Sequence, residues 1–193
     1  FGTTHGAARL PERIGSYRIV GTLGEGGMGV VLEAEQDFPR RTVAIKLVRT
    51  GRRYDANAIR LFEREVRALA RLKHPAIASI FDAGHTEAGD PYLVMERVHG
   101  EELARHVKRT SPSIAARLSL FRQICDGLIA AHQRGVIHRD LKPANILVEA
   151  GTKATVKILD FGLARIADPD SLEASLQTQA GSIRGTLAYM SPE

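Results

Sequence analysis

Residues 17–23 alternate apolar and polar side chains in the manner of a half-buried strand. The pattern runs through a glycine-rich stretch into residues 30–34, again strand-like, and after a turn at 37–40 into a third strand at 42–48. The expectation is an antiparallel meander with the glycines at its first hairpin. The period then changes. Ile59, Phe62, Val66, Leu69 and Leu72 are spaced by three and four, as on one face of a helix, with Arg60, Arg64, Arg67 and Arg71 mostly turned to solvent. Asp55 can cap this helix, and His74-Pro75 stops it. Two further strands, near 78–83 and 91–95, complete a small sheet carrying one helix. From Glu101 the character shifts. Residues 114–133 read as a long, largely buried helix ended by Gly135, followed by short strands at 136–138, 146–148 and 156–158. Residues 166–182 are polar and lack either period, so they read as a long functional loop. The fold class is α+β.

Composition narrows the setting. The 193 residues, 44% hydrophobic and 25% charged, suit a globular domain or two small lobes. A net charge of +5 is spread along the chain, and with no Trp there are few stacking platforms, so nucleic-acid binding is not expected. The single cysteine, Cys125, rules out an internal disulfide framework and fits a reducing compartment. It sits in an apolar run and reads as a small buried hydrophobe.

Three clusters carry candidate chemistry. Gly24-x-Gly26-x-x-Gly29 lets backbone amides approach phosphate oxygens without a side-chain clash. The same spacing occurs in dinucleotide-binding folds, but there a helix follows, whereas here Val30 and Val31 open a second strand. Lys46, in Val43-Ala44-Ile45-Lys46, needs an anionic partner if it points inward, and Glu65 or triphosphate oxygens could serve. Taken alone it reads equally well as a surface lysine on an edge strand. The third cluster is His138-Arg139-Asp140-Leu141-Lys142-Pro143-Ala144-Asn145, followed by Asp160-Phe161-Gly162. Here Asp140 could orient a hydroxyl and take its proton, and Lys142 could neutralise a transferred phosphoryl group. Asn145 and Asp160 could offer oxygen to a hard cation.

Together, in this order and spacing, these motifs resemble a serine/threonine protein kinase, and more narrowly the eukaryotic-like kinases of bacteria, from about Tyr17 to Glu193. The resemblance implies a protein-kinase-like fold with a sheet lobe at 17–95 after an N-terminal extension at 1–16. A hinge at 96–99 then leads to a mainly helical lobe at 100–193 that includes an activation segment at 160–193. It implies ATP and Mg²⁺. Leu23, Gly24, Gly26 and Gly29 would cover the nucleotide, and Val31, Ala44 and Leu147 would sandwich the adenine. Lys46 would contact phosphates and pair with Glu65. Met95 would be the gatekeeper, with Glu96 and Val98 offering backbone bonds and Glu102 reaching toward the ribose. Asp140 would be the catalytic base, and Asn145 and Asp160 the metal ligands. Leu69, Ile80, His138 and Phe161 would stack as an apolar spine.

Two rivals are weaker. Small-molecule phosphotransferases resemble His-Gly-Asp at the catalytic loop, whereas this chain has Arg139 and Lys142 and ends in a full segment from Gly185 to Ser191-Pro192-Glu193. A pseudokinase would have lost Lys46, Asp140, Asn145 or Asp160. Lys142 and Thr186 are the pair expected for Ser/Thr substrates in proteins. Arg139 before Asp140 implies regulation by a phosphate on the activation loop, with Thr178 the first candidate, Ser182 the second, and self-association for trans-autophosphorylation among the partners. The family continues for several helices beyond Ser-Pro-Glu, so this stretch is expected to be part of a longer chain, marginally stable and inactive or nearly so by itself. Ile114, Leu118, Phe121 and Leu128 would then be exposed. The kinase portion is expected to be cytoplasmic, with any membrane tether elsewhere in a parent protein.

Overall fold

A computed structural model describes residues 11–26, 29–48 and 56–161. The predicted meander forms: β2 (Tyr17–Gly26), β3 (Gly29–Gln36) and β4 (Arg41–Val48) pair in sequence as antiparallel neighbours. A short β1 (Arg13–Ile14) precedes them, and β5 (Ile80–His85) and β6 (Pro91–Glu96) follow α1 (Ala56–Ala70). The six strands run in the order β1-β2-β3-β4-β6-β5. The expected cap Asp55 lies outside the described residues.

Strand parity divides this sheet between two cores. Val30, Leu32, Ala34, Val43, Ile45, Tyr92 and Val94 share one cluster with Ile14 and Tyr17. The alternate residues Ala44, Val48, Leu93 and Met95 join Phe62 and Leu69 of α1 in the other. The expected helical face is therefore real, and Arg60, Arg64, Arg67 and Arg71 are all exposed.

The second cluster continues into the rest of the chain through α3 (Ile114–His132), β8 (Ile146–Glu149) and β9 (Thr155–Ile158). With β7 (Glu101–Glu102), these strands form a three-stranded sheet in the order β7-β8-β9. Ser113 caps α3 by accepting from the Ala116 amide at 3.3 Å, and its buried stripe is Leu120, Ile124, Gly127 and Ala131. A Cβ at Gly127 would lie 3.0 Å from Ile158 Cδ1, so the glycine sets how closely α3 approaches β9. The turn that ends the helix passes through Gly135 at φ +72°. On its outer side Ile114, Leu118 and Phe121 are 77%, 61% and 62% exposed, as expected. Leu128 instead packs against the core, and Ile129 is the exposed neighbour.

Two expectations need correction. Residues 136–138 form no strand, because Val136 is held by the helix end (its amide donates to the Ala131 carbonyl, 3.0 Å) and His138 by the chain at Leu159. The sequence pattern also missed α2 (Leu103–Thr110). Its buried residue is His106, and Glu101 anchors it by accepting from His106 and Arg109, so there is little apolar period to see. Among the described residues no helix is long and apolar enough to cross a membrane.

The six-stranded sheet curls until its two ends meet. Tyr17 at the start of β2 donates its hydroxyl to Asp82 of β5 at 2.9 Å. Burial and this bond push the Tyr17 phenol up to about 12, which keeps it a donor. Beside it, the Tyr92 hydroxyl lies between two glycines, where a Cβ would come within 2.8 Å at Gly15 and 2.7 Å at Gly84. Tyr17→Phe should therefore lower stability by about 1 kcal/mol. Gly84→Ala should lower it by about 1–3 kcal/mol, since Gly15 blocks any retreat of the ring. Chemical denaturation reads both, and an unchanged midpoint for Gly84→Ala would contradict this closure.

Candidate functional site

The glycine motif occupies the β2–β3 hairpin, with Gly24 opposite Val31 and Gly26 opposite Gly29. A strand follows, not a helix. Gly29 has φ +137°, a backbone state that a side chain would resist. Leu23 is partly exposed beside this hairpin, while Val31 and Ala44 lie on the face turned toward α1 and the C-terminal half. Leu147 is half-buried on β8.

Lys46 follows Ala44 by one strand period and shares its face. It is only 6% exposed, and its ammonium lies 2.6 Å from Asp160 Oδ2. A buried lysine requires such a partner. The expected Lys46–Glu65 pair is thus not the one this structure makes. Asp160, just past β9 and in the left-handed region at φ +60°, brings its carboxylate to the end of the lysine. Glu65 is half-buried on the inward side of α1, with contacts of its own.

The loop from His138 to Asn145 ends in a single 3₁₀ turn, Pro143–Asn145. Within it Lys142 Nζ lies 2.8 Å from Asp140 Oδ2. Asn145 Nδ2 donates to the Asp140 carbonyl at 2.8 Å and to Asp140 Oδ2 at 3.2 Å. With its amide nitrogen so engaged, the buried Asn145 keeps Oδ1 as an acceptor. Arg139 is left-handed as well, at φ +68°. Left-handed residues in two neighbouring segments mark a backbone held by its surroundings.

Leu159 joins the loop to Asp160. Its amide donates to the Asn145 carbonyl at 2.8 Å, and its carbonyl accepts from His138 Nε2 at 2.8 Å. Two segments far apart in sequence are thus bonded into one frame. On the apolar side, the His138 and Phe161 rings lie 4.7 Å apart. Leu69, Ile80, Met95 and Phe161 border one small cavity of about 20 Å³. The expected spine residues therefore adjoin one another.

The sequence matches the protein kinase domain over residues 17–193. The chain belongs to the protein kinase family. It is 39% identical over 183 residues to a probable serine/threonine-protein kinase of Corynebacterium efficiens, covering 92% of this chain and 27% of that protein. Against the serine/threonine-protein kinase PknA of Mycobacterium tuberculosis it is 40% identical over 184 residues, 93% of this chain and 41% of the relative. The crystal structure of the Mycobacterium tuberculosis PknI kinase domain superposes with a TM-score of 0.65 at 29% identity, covering 78% of this chain and 61% of that one. The chain therefore spans less than half the length of these two curated relatives.

Several expected kinase positions, among them Gly162, Thr178, Ser182 and Thr186, lie outside the described residues. The two lobes meet at the hinge, where Glu96 and Val98 sit at the end of β6 and just beyond it. Residue spacing alone does not show what the hinge side chains do. Glu96 is bonded to Lys157 and Arg97 to Glu33, and only the opposite charges of neighbours 96 and 97 could have signalled it.

The protonation of His138 follows from its partners. A carbonyl can only accept, so Nε2 carries the proton toward Leu159; the Asp140 amide can only donate, at 3.4 Å, so Nδ1 is bare. The ring is neutral. Burial holds its pKa below the ordinary histidine value, against the pull of the Leu159 carbonyl and the nearby carboxylates. Unfolding raises that pKa, so the unfolded chain binds the extra proton. The histidine's stabilisation is complete above about pH 6.5 and is lost as pH falls from there through the lowered folded value. His138→Phe, which keeps a ring against Phe161, should flatten the fall in thermal stability between pH 7.5 and 5.5. An unchanged slope would contradict this assignment.

Proposed function

We propose that this domain transfers the γ-phosphoryl group of ATP to serine and threonine hydroxyls of protein substrates. The observation that carries the reading is two bonded clusters, Lys46 with Asp160 and Asp140 with Lys142 and Asn145, whose segments are joined through Leu159. The relatives' names as serine/threonine kinases support the choice of acceptor.

The residues fit the groups this chemistry needs. Asn145 Oδ1 and the Asp160 carboxylate supply the hard oxygen ligands that Mg²⁺ prefers. Bound MgATP supplies the phosphoryl group and spreads its charge. Lys46, anchored on β4, is the cation for the phosphate chain, and the glycine hairpin offers backbone amides above it. The Asp140 carboxylate orients the attacking hydroxyl and accepts its proton. Lys142, within bonding distance of that carboxylate, stands ready to neutralise charge on the transferred group. The Asn145 amide fixes Asp140 at two points, so the base is positioned before substrate arrives. In this reading Thr186 helps select Ser/Thr substrates, and Thr178, with Ser182 second, receives an activating phosphate.

Asp140→Asn should lower kcat for γ-phosphate transfer by ~10²–10⁴, roughly 3–5 kcal/mol of barrier, with ATP affinity little changed. Near-normal turnover would remove Asp140 from the role of base. Mass mapping after incubation with MgATP should find phosphate on Thr178 or Ser182; phosphate only outside 171–182 would overturn that part.

A further inference from the structure

The hinge is fastened residue by residue, and by side chains that none of the roles above uses. The Glu96 amide donates to the Ser79 carbonyl at 2.8 Å, and the Glu96 carboxylate accepts from the Ser79 amide at 3.0 Å. The other oxygen of that carboxylate lies 2.6 Å from Lys157 Nζ on β9. Arg97 turns to the other lobe. Its Nε donates to Glu33 of β3 at 2.9 Å, and its Nη1 donates to the Val98 carbonyl at 2.5 Å. Val98 is buried, and the His99 amide donates to Glu149 at 3.3 Å. Gly100 ends the run, where a Cβ would stand 2.8 Å from the Val148 carbonyl oxygen.

Two adjacent residues of opposite charge therefore bind opposite lobes. Glu33 belongs to the six-stranded sheet, and Lys157 to the three-stranded one. Both ion pairs are half-buried, which shields them from the screening that weakens fully exposed pairs. Among the described residues, neither the Glu33 nor the Lys157 side chain is bonded to the phosphate-handling residues. Between their anchors lie the peptide groups of residues 96–98, the backbone to which an adenine would bond. This step rests on the kinase reading above.

We propose that Glu33 and Lys157 are positioning residues for the nucleotide, forming a two-sided splint that presents the hinge backbone at fixed spacing. Part of the affinity for ATP then comes from order imposed on the hinge before binding.

The test is titration with MgATP and steady-state transfer kinetics on the full-length protein that carries this domain, unaltered and as Glu33→Gln, Lys157→Met and Lys157→Arg, each checked for folding by thermal melting. Glu33→Gln and Lys157→Met should each weaken ATP binding roughly three- to tenfold, while kcat at saturating ATP stays within about twofold. Lys157→Arg, which keeps the cation, should restore most of the affinity. Unchanged affinity in Glu33→Gln overturns the proposal even if Lys157→Met does not fold. So does a kcat loss as large as the affinity loss, because a general structural defect would produce it. An unaltered protein that does not bind ATP overturns the kinase reading itself, whereas binding with indifferent variants overturns only the splint.

Discussion

The ion pair between Lys46 and Asp160 is the constraint on which the site depends. A lysine this deeply buried loses several kcal/mol of hydration unless an anion meets it, so the strand that carries it must face a carboxylate. Asp160 can supply one only because its own backbone is held in a left-handed turn. Leu159 enforces that turn, being bonded through its carbonyl to His138 and through its amide to Asn145. The chemistry of Asp140 and Asn145 is therefore not separable from the packing beneath it. The same histidine that braces Leu159 lies against Phe161.

The curled sheet contributes from the other side. Parity along β4 sends Val43 and Ile45 into one core and Ala44, Lys46 and Val48 toward the other. A shift of one residue in register would turn Lys46 into the wrong core, so the apolar alternation that builds the sheet also places this buried cation. The tyrosine closure at Tyr17 and Tyr92 keeps the outer core shut and the strands in that register.

Much of this was legible in the sequence. Alternation in 17–48 and the spacing of Ile59, Phe62, Val66 and Leu69 gave the meander and α1, because each buries a face whose period shows in the residue types. Polar anchoring was less visible. The helix α2 rests on Glu101, His106 and Arg109, and the hinge on Glu96, Arg97, Glu33 and Lys157, all residues that ordinarily read as solvated surface. Their pairings are long-range and leave no period. The pairing of Lys46 with Asp160 was equally hidden, since the two lie far apart in sequence and nothing in the residue pattern joins them.

The bracing of Leu159 has a mechanical consequence. Because its amide and its carbonyl are both bonded to the loop from His138 to Asn145, Asp140, the proposed base, and Asp160, the proposed metal ligand, are tied into one frame. In the proposed reading, a cleft that opens to admit a nucleotide would part this frame from the strand that carries Lys46, at the cost of the Lys46–Asp160 ion pair. The bonds that hold Asp140 and Asn145 to the segment before Asp160 all lie within residues 138–161, on one side of the cleft.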